Sequence, residues 1–503
     1  MAMGNLQDAT QRLRASRKLT RRSFFVVTAG MAAILAGCGG DSDESGATGT
    51  SGTQAPASSA TPGSGGSGRS GGSGSGKAVV PLFTTENDPQ TLAFYEATIA
   101  AFKEEHPDVE VEITLYQDEN QLQYLTTAFE TGTDLGIFAP PSGHIATWAR
   151  QGHLLPIDPI IERIGPDDFL PGTRIVVDGS DYAMPFQANA SAVWVRQDLI
   201  EAEGLPLPTT YEEYLAIAET LHGKDGIIGI ASATGSVPQM TLQFFTPYIL
   251  QSGWDYFDRE GNLTFDQPDV LEAVKRFAGI MKYTSPSLYN GTYQDILTTF
   301  ISGRAALGTF PGRLGVNLAS QNPEIAEKTT VVPPPVGPFM TGQLFFGGIQ
   351  HYVVHSKTAH PEEALAFLEF MTTGTRALEF AMTVPGHLLP PLESVRKMVP
   401  DYESEFMSKH GDWVRTLNDM VPNAMNPSLS MGSVNNHQYK EKLSNVCPWA
   451  AEVWGSPPID GTMFQEILIQ GKDPEQAWSE AAEKMRAIAE RWKSENPDWT
   501  PTV

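Results

Sequence analysis

At 503 residues the chain exceeds the size at which one hydrophobic core keeps growing, so at least two compact units are expected. Its formal net charge is -25, and the first 37 residues hold six basic groups against one acid, so the remainder stands at -30; such a surface repels a phosphate backbone and argues against nucleic acid as a partner. Two cysteines, Cys38 and Cys447, exclude a disulfide framework.

The first element is a leader. Thr20-Arg21-Arg22-Ser23-Phe24-Phe25 sets a twin-arginine pair ahead of Phe24 to Ala36, an apolar run too short to span a bilayer. A basic region, a short apolar region and small residues before a cleavage point describe an export signal, and the arginine pair points to the twin-arginine route, although Val26 replaces the lysine common in that motif. Leu35-Ala36-Gly37-Cys38 resembles a lipobox, in which the cysteine thiol takes a diacylglycerol group and becomes the new N-terminus. Residues 1–37 therefore read as a twin-arginine-type lipoprotein signal peptide and Cys38 as the lipid attachment point. Residues 39–77 contain 13 glycines and 10 serines in 39 positions and no aromatic residue, too little apolar area to offset chain entropy. Together with Cys38 they form a disordered tether, 38–77, with a root-mean-square span of roughly 35 Å. Gly63, Gly65 and Gly68 match G-x-G-x-x-G, and Gly68 to Gly72 match G-x-S-x-G, but neither lies at a strand-to-helix junction, so composition explains both.

From Val79 strands and helices alternate. Val79 to Phe83 is an apolar strand, and Asp88-Pro89 supplies an N-cap and first helical residue for Leu92, Tyr95, Ile99 and Phe102 at helical spacing. Val109, Val111, Ile113 and Leu115 alternate as the next strand. Leu122, Leu125, Ala128 and Phe129 give a helix ended by Gly132, Leu135 to Ala139 a strand, and Ile145, Trp148 and Ala149 a helix closed by Gly152. After Phe186 come a strand at Ala192 to Val195, a capping box at Thr210 to Glu213 opening a helix with Tyr214 and Leu221, and a helix after Pro268 with Leu271, Val274, Ala278 and Met281 on one face. Another helix opens at Pro361 and closes at Gly374. The last begins at Asp473-Pro474 with Gln476 at its third position, and its stripe of Trp478, Ala481, Met485, Ile488 and Trp492 predicts packing against a sheet. This alternation implies mostly parallel sheets with helices on both faces.

Six stretches carry a family resemblance. "IAAFKEEHPDVEVEI" joins helix to strand through a phenylalanine, acids and a proline, and "TDLGIFAPPSGHIATWARQGHLLPID" runs through strand, loop and helix to a glycine-leucine-proline close. "YAMPFQANASAVWVRQDLIEAEGLPLPTTYEEYL" is similar to a crossover between lobes, with Val195-Arg196-Gln197-Asp198-Leu199 where tyrosine-asparagine-lysine-aspartate-leucine is usual. "FISGRAALGTFPGR", "FFGGIQHYVVHSKTAHPEEALAFLEFM" and "GKDPEQAWSEAAEKM" follow in the expected order. Over nearly all of 78 to 490 the chain resembles the family 1 extracellular solute-binding proteins, the maltose-binding-protein-like sugar receptors of ABC importers. The resemblance implies the type II periplasmic-binding-protein-like fold, α/β, in which two lobes, each a mostly parallel sheet flanked by helices, close by hinge motion around a ligand. It places crossings near Gln187 to Ser191, Gly347 to Gln350 and His387 to Pro391, with lobe one at 78–187 plus 349–386 and lobe two at 188–348 plus 387–503.

Ligands of open α/β sheets sit beyond the carboxyl ends of strands, which directs attention to the loops there. Glu86 and Asn87 follow the first strand and offer a carboxylate and an amide to sugar hydroxyls, or serve as a turn and N-cap cluster. The resemblance places Ser142 and His144 in a loop of polar ligand contacts and Asn189 at a crossover position facing the ligand. Trp254 falls where relatives stack an aromatic ring on a sugar; such a ring meets the apolar C–H face while acids and amides hold the hydroxyls, and core packing is the competing role. Arg313 stands where many relatives carry tryptophan, so its guanidinium binds hydroxyls, or a ligand carboxylate or phosphate. Trp449 and Trp454 come from a stretch that lines the cleft in relatives. Gly347 and Gly348 at the second crossing suit a position needing backbone freedom or a close approach to the ligand.

A secreted, surface-anchored carbohydrate-active enzyme is the rival reading, since paired carboxylates for glycoside cleavage assemble from distant strands. No HExxH motif is present, and His351 and His355 in a strand lie about 13 Å apart, beyond shared metal ligation. The sequence thus predicts a lipid-anchored, monomeric binding protein on the outer face of the cell membrane. It takes up a sugar or related polyhydroxylated solute, hands it unaltered to the transmembrane subunits of an ABC permease, and uses no cofactor and no metal.

Overall fold

The computed structural model describes residues 77–116, 120–235, 238–337, 344–426, 431–439, 447–455 and 457–501; the signal segment, Cys38 and the tether up to residue 76 lie outside the described residues. Strands β1 (Ala78–Thr84), β2 (Val109–Leu115), β3 (Ile137–Phe138) and β4 (Met184–Ala188) belong to a first sheet. Strands β5 (Ala192–Arg196), β6 (Ile228–Ala231), β7 (Ala305–Phe310) and β8 (Thr329–Val332) make a second, and β9 (Ile349–Val354) returns to the first. The strand orders are β2-β1-β3-β9-β4 and β8-β5-β7-β6.

Each sheet is mixed. β1 runs parallel to β2 and β3, but β9 is antiparallel to both its neighbours. In the second sheet β6 and β7 are parallel, while β5 opposes β7 and β8. The reversed strands are the two reached directly from the other sheet. A strand that enters from the shared end must run back against strands that finish there, which alternation along the sequence does not reveal.

Local chemistry sets the helices. Helix α1 (Pro89–Glu105) starts on Pro89, whose missing N–H costs nothing at that position. Helix α2 (Gln121–Thr131) ends at Gly132, which takes φ 71°. Helix α3 (Tyr211–Leu221) opens with the reciprocal Thr210 and Glu213 capping box. Helices α4 (Pro268–Ile280) and α5 (Arg313–Gln321) follow in the second lobe. Helix α6 (Pro361–Thr372) does stop ahead of Gly374, but a further helix begins at that residue, because Gly374 with φ 55° acts as a joint rather than a terminus. The final helix, α7 (Pro474–Glu495), is capped by Asp473, whose side chain accepts from the Gln476 N–H at 3.0 Å.

In the first lobe the two faces of β1 feed two cores. Val80 and Leu82 are buried with Phe94, Tyr95 and Phe102 of α1 and Phe367 and Leu368 of α6; Phe83, one residue out of phase, packs with Leu125 of α2 and Trp148. In the second lobe Trp194 is fully buried, donates from Nε1 to the Phe310 carbonyl at 2.8 Å and meets Trp413 edge-on at 5.2 Å.

The chain segments between the sheets lie side by side. Ala188 N–H donates to the Leu389 carbonyl at 2.7 Å, Asn189 N–H to that of Gly348 at 2.9 Å and Ser191 N–H to that of Phe346 at 2.9 Å. The Asn189 side chain adds a return bond, its Oδ1 accepting from Gly348 N–H at 2.9 Å.

His351 in β9 is buried and donates from Nε2 to the Thr173 carbonyl at 2.7 Å, and burial pushes its pKa down to about 4. Unfolding exposes a ring that protonates near 6.5, so the unfolded chain binds the extra proton between those values. Neutral His351 thus contributes stability above pH 6.5 that is lost as pH falls toward 4. Urea unfolding of wild type and His351→Gln at pH 7 and pH 4.5 should show the wild type losing more on acidification, by about 3 kcal/mol at most.

Candidate functional site

β1 ends at Thr84, and its loop turns Glu86 inward before α1 begins. Glu86 is only 5 % exposed. A hydroxyl network behind it fixes the loop: Thr84 Oγ1 accepts from Glu86 N–H at 3.2 Å and from the Tyr352 hydroxyl at 2.9 Å, and Tyr352 and Tyr95 share a 2.6 Å bond. Burial, then the nearby Glu86 charge, raises the Tyr95 pKa, so this phenol is neutral.

From the other lobe, β7 ends at Phe310 and Pro311-Gly312 leads into α5. Arg313, at its first turn, donates from Nη2 to Glu86 Oε2 at 3.2 Å and from Nη1 to Asp88 Oδ2. The guanidinium therefore bridges the lobes, held by two carboxylates of one loop. Asp88 stands at the N-cap position of α1 yet makes no side-chain cap bond there, since its carboxylate turns to Arg313. The third crossing passes alongside: a Cβ on Gly312 would sit 2.1 Å from the Gly386 carbonyl oxygen and 2.7 Å from His387 N. His387 is held well below its usual pKa by burial first and by the Arg313 charge second, so its ring is neutral. The cluster brings one guanidinium together with two carboxylates.

Beside the acids, at the carboxyl ends of β1 and β2, Phe83, Tyr116 and Tyr124 form an aromatic group with centroid separations of 5.6 to 6.3 Å, and Tyr124 is 39 % exposed. The neighbouring loop carries Ser142, which donates from Oγ to the Ile349 carbonyl at 3.0 Å, and His144, whose Nδ1 is buried without a partner among the described residues and whose pKa burial lowers. The short helix Ala450–Val453 of the second lobe lies against Ser142–His144, making a second contact between lobes.

The predicted residues divide accordingly. Glu86, Ser142, His144 and Arg313 are brought to the interface of the lobes, and Asn87 stands exposed next to Glu86. Asn189, Gly347 and Gly348 sit together where the crossings touch. Neither glycine takes a positive φ; a Cβ on Gly347 would lie 2.2 Å from Ala424 Cβ and 2.4 Å from the Asn189 carbonyl oxygen, so the close approach is to protein backbone and side chain. Trp254 is half-buried within the second lobe, donating from Nε1 to Asp269 Oδ2 at 3.1 Å. Trp449 is fully buried among Phe257, Trp492 and Trp499, and Trp454 packs edge-on to Tyr256 at 4.7 Å, so both rings serve the core on either side of the helix that faces Ser142. Asp88, read only as an N-cap, His387, read only as the start of a crossing, and Tyr116 and Tyr124 were not among the predicted site residues. Two acids two positions apart after a strand were the available signal for Asp88, and the aromatic residue ending the β2 alternation the one for Tyr116. Among the described residues no group of three or more histidine, cysteine, aspartate or glutamate side chains is arranged to hold a metal.

Such a surface offers hydroxyl acceptors, a guanidinium donor and exposed aromatic area in one place, equipment for holding a solute. The family model for bacterial extracellular solute-binding proteins matches residues 87–373. An ABC transporter extracellular-binding protein of Pyrococcus horikoshii is 24 % identical over 363 residues, covering 65 % of this chain and 80 % of the relative. The arabinooligosaccharide-binding protein of Halalkalibacterium halodurans is 22 % identical over 420 residues, 79 % of this chain and 87 % of its own. Among solved structures, maltose-bound MalE3 of T. maritima superposes with a TM-score of 0.67 at 19 % identity, covering 82 % of this chain and all of that one, which shows the shared two-lobe fold. With its family model matched across both sheets, the chain belongs to the bacterial extracellular solute-binding proteins.

Proposed function

We propose that this protein is the substrate-binding lipoprotein of an ABC importer, taking a neutral sugar or polyol between its lobes and delivering it to the permease. Acylated Cys38 holds it on the outer face of the membrane through the 38–77 tether, and it works as a monomer without a cofactor. The observation that carries the ligand class is the pairing of Arg313 with both Glu86 and Asp88. The sequence left the guanidinium open to a ligand carboxylate or phosphate; with two carboxylates already on it, an incoming anion must compete with both, whereas hydroxyls can donate to the acids and accept from the guanidinium. The sugar named for the Halalkalibacterium relative and the maltose of the T. maritima structure support the same class.

Thermal unfolding of the purified protein with maltose, arabinooligosaccharides, mannitol and glycerol 3-phosphate tests this. A neutral ligand at one hundred times its Kd adds about 2.7 kcal/mol, and the phosphate ester adds nothing measurable. Stabilisation by the phosphate alone would reverse the assignment, and release of hydrolysis products during the same incubations would favour an enzyme. Cys38→Ser should leave ligand binding intact and free the protein from the membrane fraction.

A further inference from the structure

The second lobe contains a solvent-open pocket that shares no residue with the inter-lobe cluster. It lies between the first turn of α3, the face of α4 and the Pro334-Pro335 loop, so its walls all come from one lobe and do not depend on hinge closure. Tyr211 and Tyr248 meet edge-on at 5.7 Å on one side, and the two prolines form much of the other.

Most polar groups on the wall are already engaged. Tyr211 donates to the Arg276 carbonyl at 2.7 Å, Tyr214 pairs with Thr309 at 3.3 Å, and Gln251 bonds Leu344 and Gly337 at 2.7 and 2.9 Å. Of the two acids, Asp269 receives Trp254 Nε1 at 3.1 Å with His437 at 3.3 Å, and Glu272 pairs with Lys275 at 3.0 Å. Two groups stand apart. The Arg276 guanidinium lies over the Tyr211 ring, 5.5 Å from its centroid, with no carboxylate partner among the described residues, and the Tyr248 hydroxyl makes no hydrogen bond there. Both are donors, and they flank the same aromatic wall.

We propose that this cavity is a second small-molecule site, for a small aromatic carboxylate whose ring rests between the tyrosines and prolines while its carboxylate meets Arg276 and Tyr248. A concave wall of aromatic and proline side chains with a few convergent polar groups is the form small-ligand sites take. A charge-assisted bond to the guanidinium supplies the orientation. Because the acids on the wall keep their own partners, the guanidinium is the group an anion reaches, and physiological ionic strength screens the negative surface beyond about 8 Å.

Ligand-observed NMR on the purified full-length protein, with benzoate, benzamide and benzyl alcohol as probes, tests the site. Benzoate should bind more tightly than benzamide, and Arg276→Gln should weaken benzoate about fivefold, the equivalent of one charge-assisted bond, while leaving benzyl alcohol unchanged. Ala273→Phe, which fills the cavity, should abolish all three; if that variant misfolds, Arg276→Gln and Tyr248→Phe carry the test, since both lie at the wall and leave the packing in place. Absence of benzoate binding at about 10 mM, equal binding of benzoate and benzamide, or benzoate binding indifferent to Arg276→Gln would overturn the proposal.

Discussion

Replacing Arg313 by methionine is expected to lower stability by about 2 kcal/mol and to weaken solute binding at least tenfold. The variant keeps most of the aliphatic stem but removes the cation from a carboxylate, that of Glu86, which is 5 % exposed. Truncating one partner of a fully buried pair costs about 3 to 5 kcal/mol. Here the Arg313 side chain is 25 % exposed and Asp88 about as much, so solvent screens part of the interaction and the smaller figure applies. Because Arg313 belongs to α5 and the acids to the loop after β1, the same loss shifts the hinge toward separated lobes, and a ligand must then supply the closure free energy itself. Arg313→Lys separates charge from geometry: a point charge reaches one carboxylate, so it should restore stability in part and affinity less. A double-mutant cycle with Glu86→Gln, followed by urea unfolding, should return a coupling above about 1 kcal/mol. A coupling near zero would reduce the bridge to a surface contact.

How much of this was legible depended on whether the signal was local. The Thr210 and Glu213 capping box, the Asp473-Pro474 start of α7 and the Gly132 stop were all readable, because each is settled by residues within a turn of the helix end. Asp88-Pro89 shows the limit. Position and residue type identify an N-cap, and the helix does begin there, but the carboxylate is recruited by a guanidinium 225 positions away, which no local pattern encodes. Likewise the reversed direction of β5 and β9 follows from the path between sheets, not from hydrophobic alternation. The packing of the tryptophans is illegible for a related reason. An aromatic residue near a cleft serves recognition or packing equally well by composition, and only the positions of Phe257, Trp492 and Trp499 decide that Trp449 is core. Arg313 was marked as a departure, and that Glu86 and Asp88 face it is a pairing that no local pattern shows.

Gly312→Ala is expected to cost about 3 kcal/mol and to abolish the ligand-induced rise in unfolding temperature even where the variant remains folded. The added methyl would stand 2.1 Å from the Gly386 oxygen and 2.7 Å from His387 N, both backbone, and backbone has no rotamer to swing away. Gly386 itself sits at φ 82°, a conformation that ties the third crossing to one path. The strain must therefore appear as separation of α5 from that crossing, and Arg313 begins α5, so the shift withdraws the guanidinium from Glu86 and Asp88. Gly279→Ala is the matched control: it lies near the end of α4 with no atom within 4 Å of the new methyl, and the gain in helix propensity should raise stability by about 0.5 to 1 kcal/mol with ligand binding unchanged. Urea unfolding and ligand titration on both variants decide the point. If Gly312→Ala lost stability but kept full affinity, the crossing and the arginine bridge would be mechanically independent, and the hinge would have to be set by the Ser142–His144 contact instead.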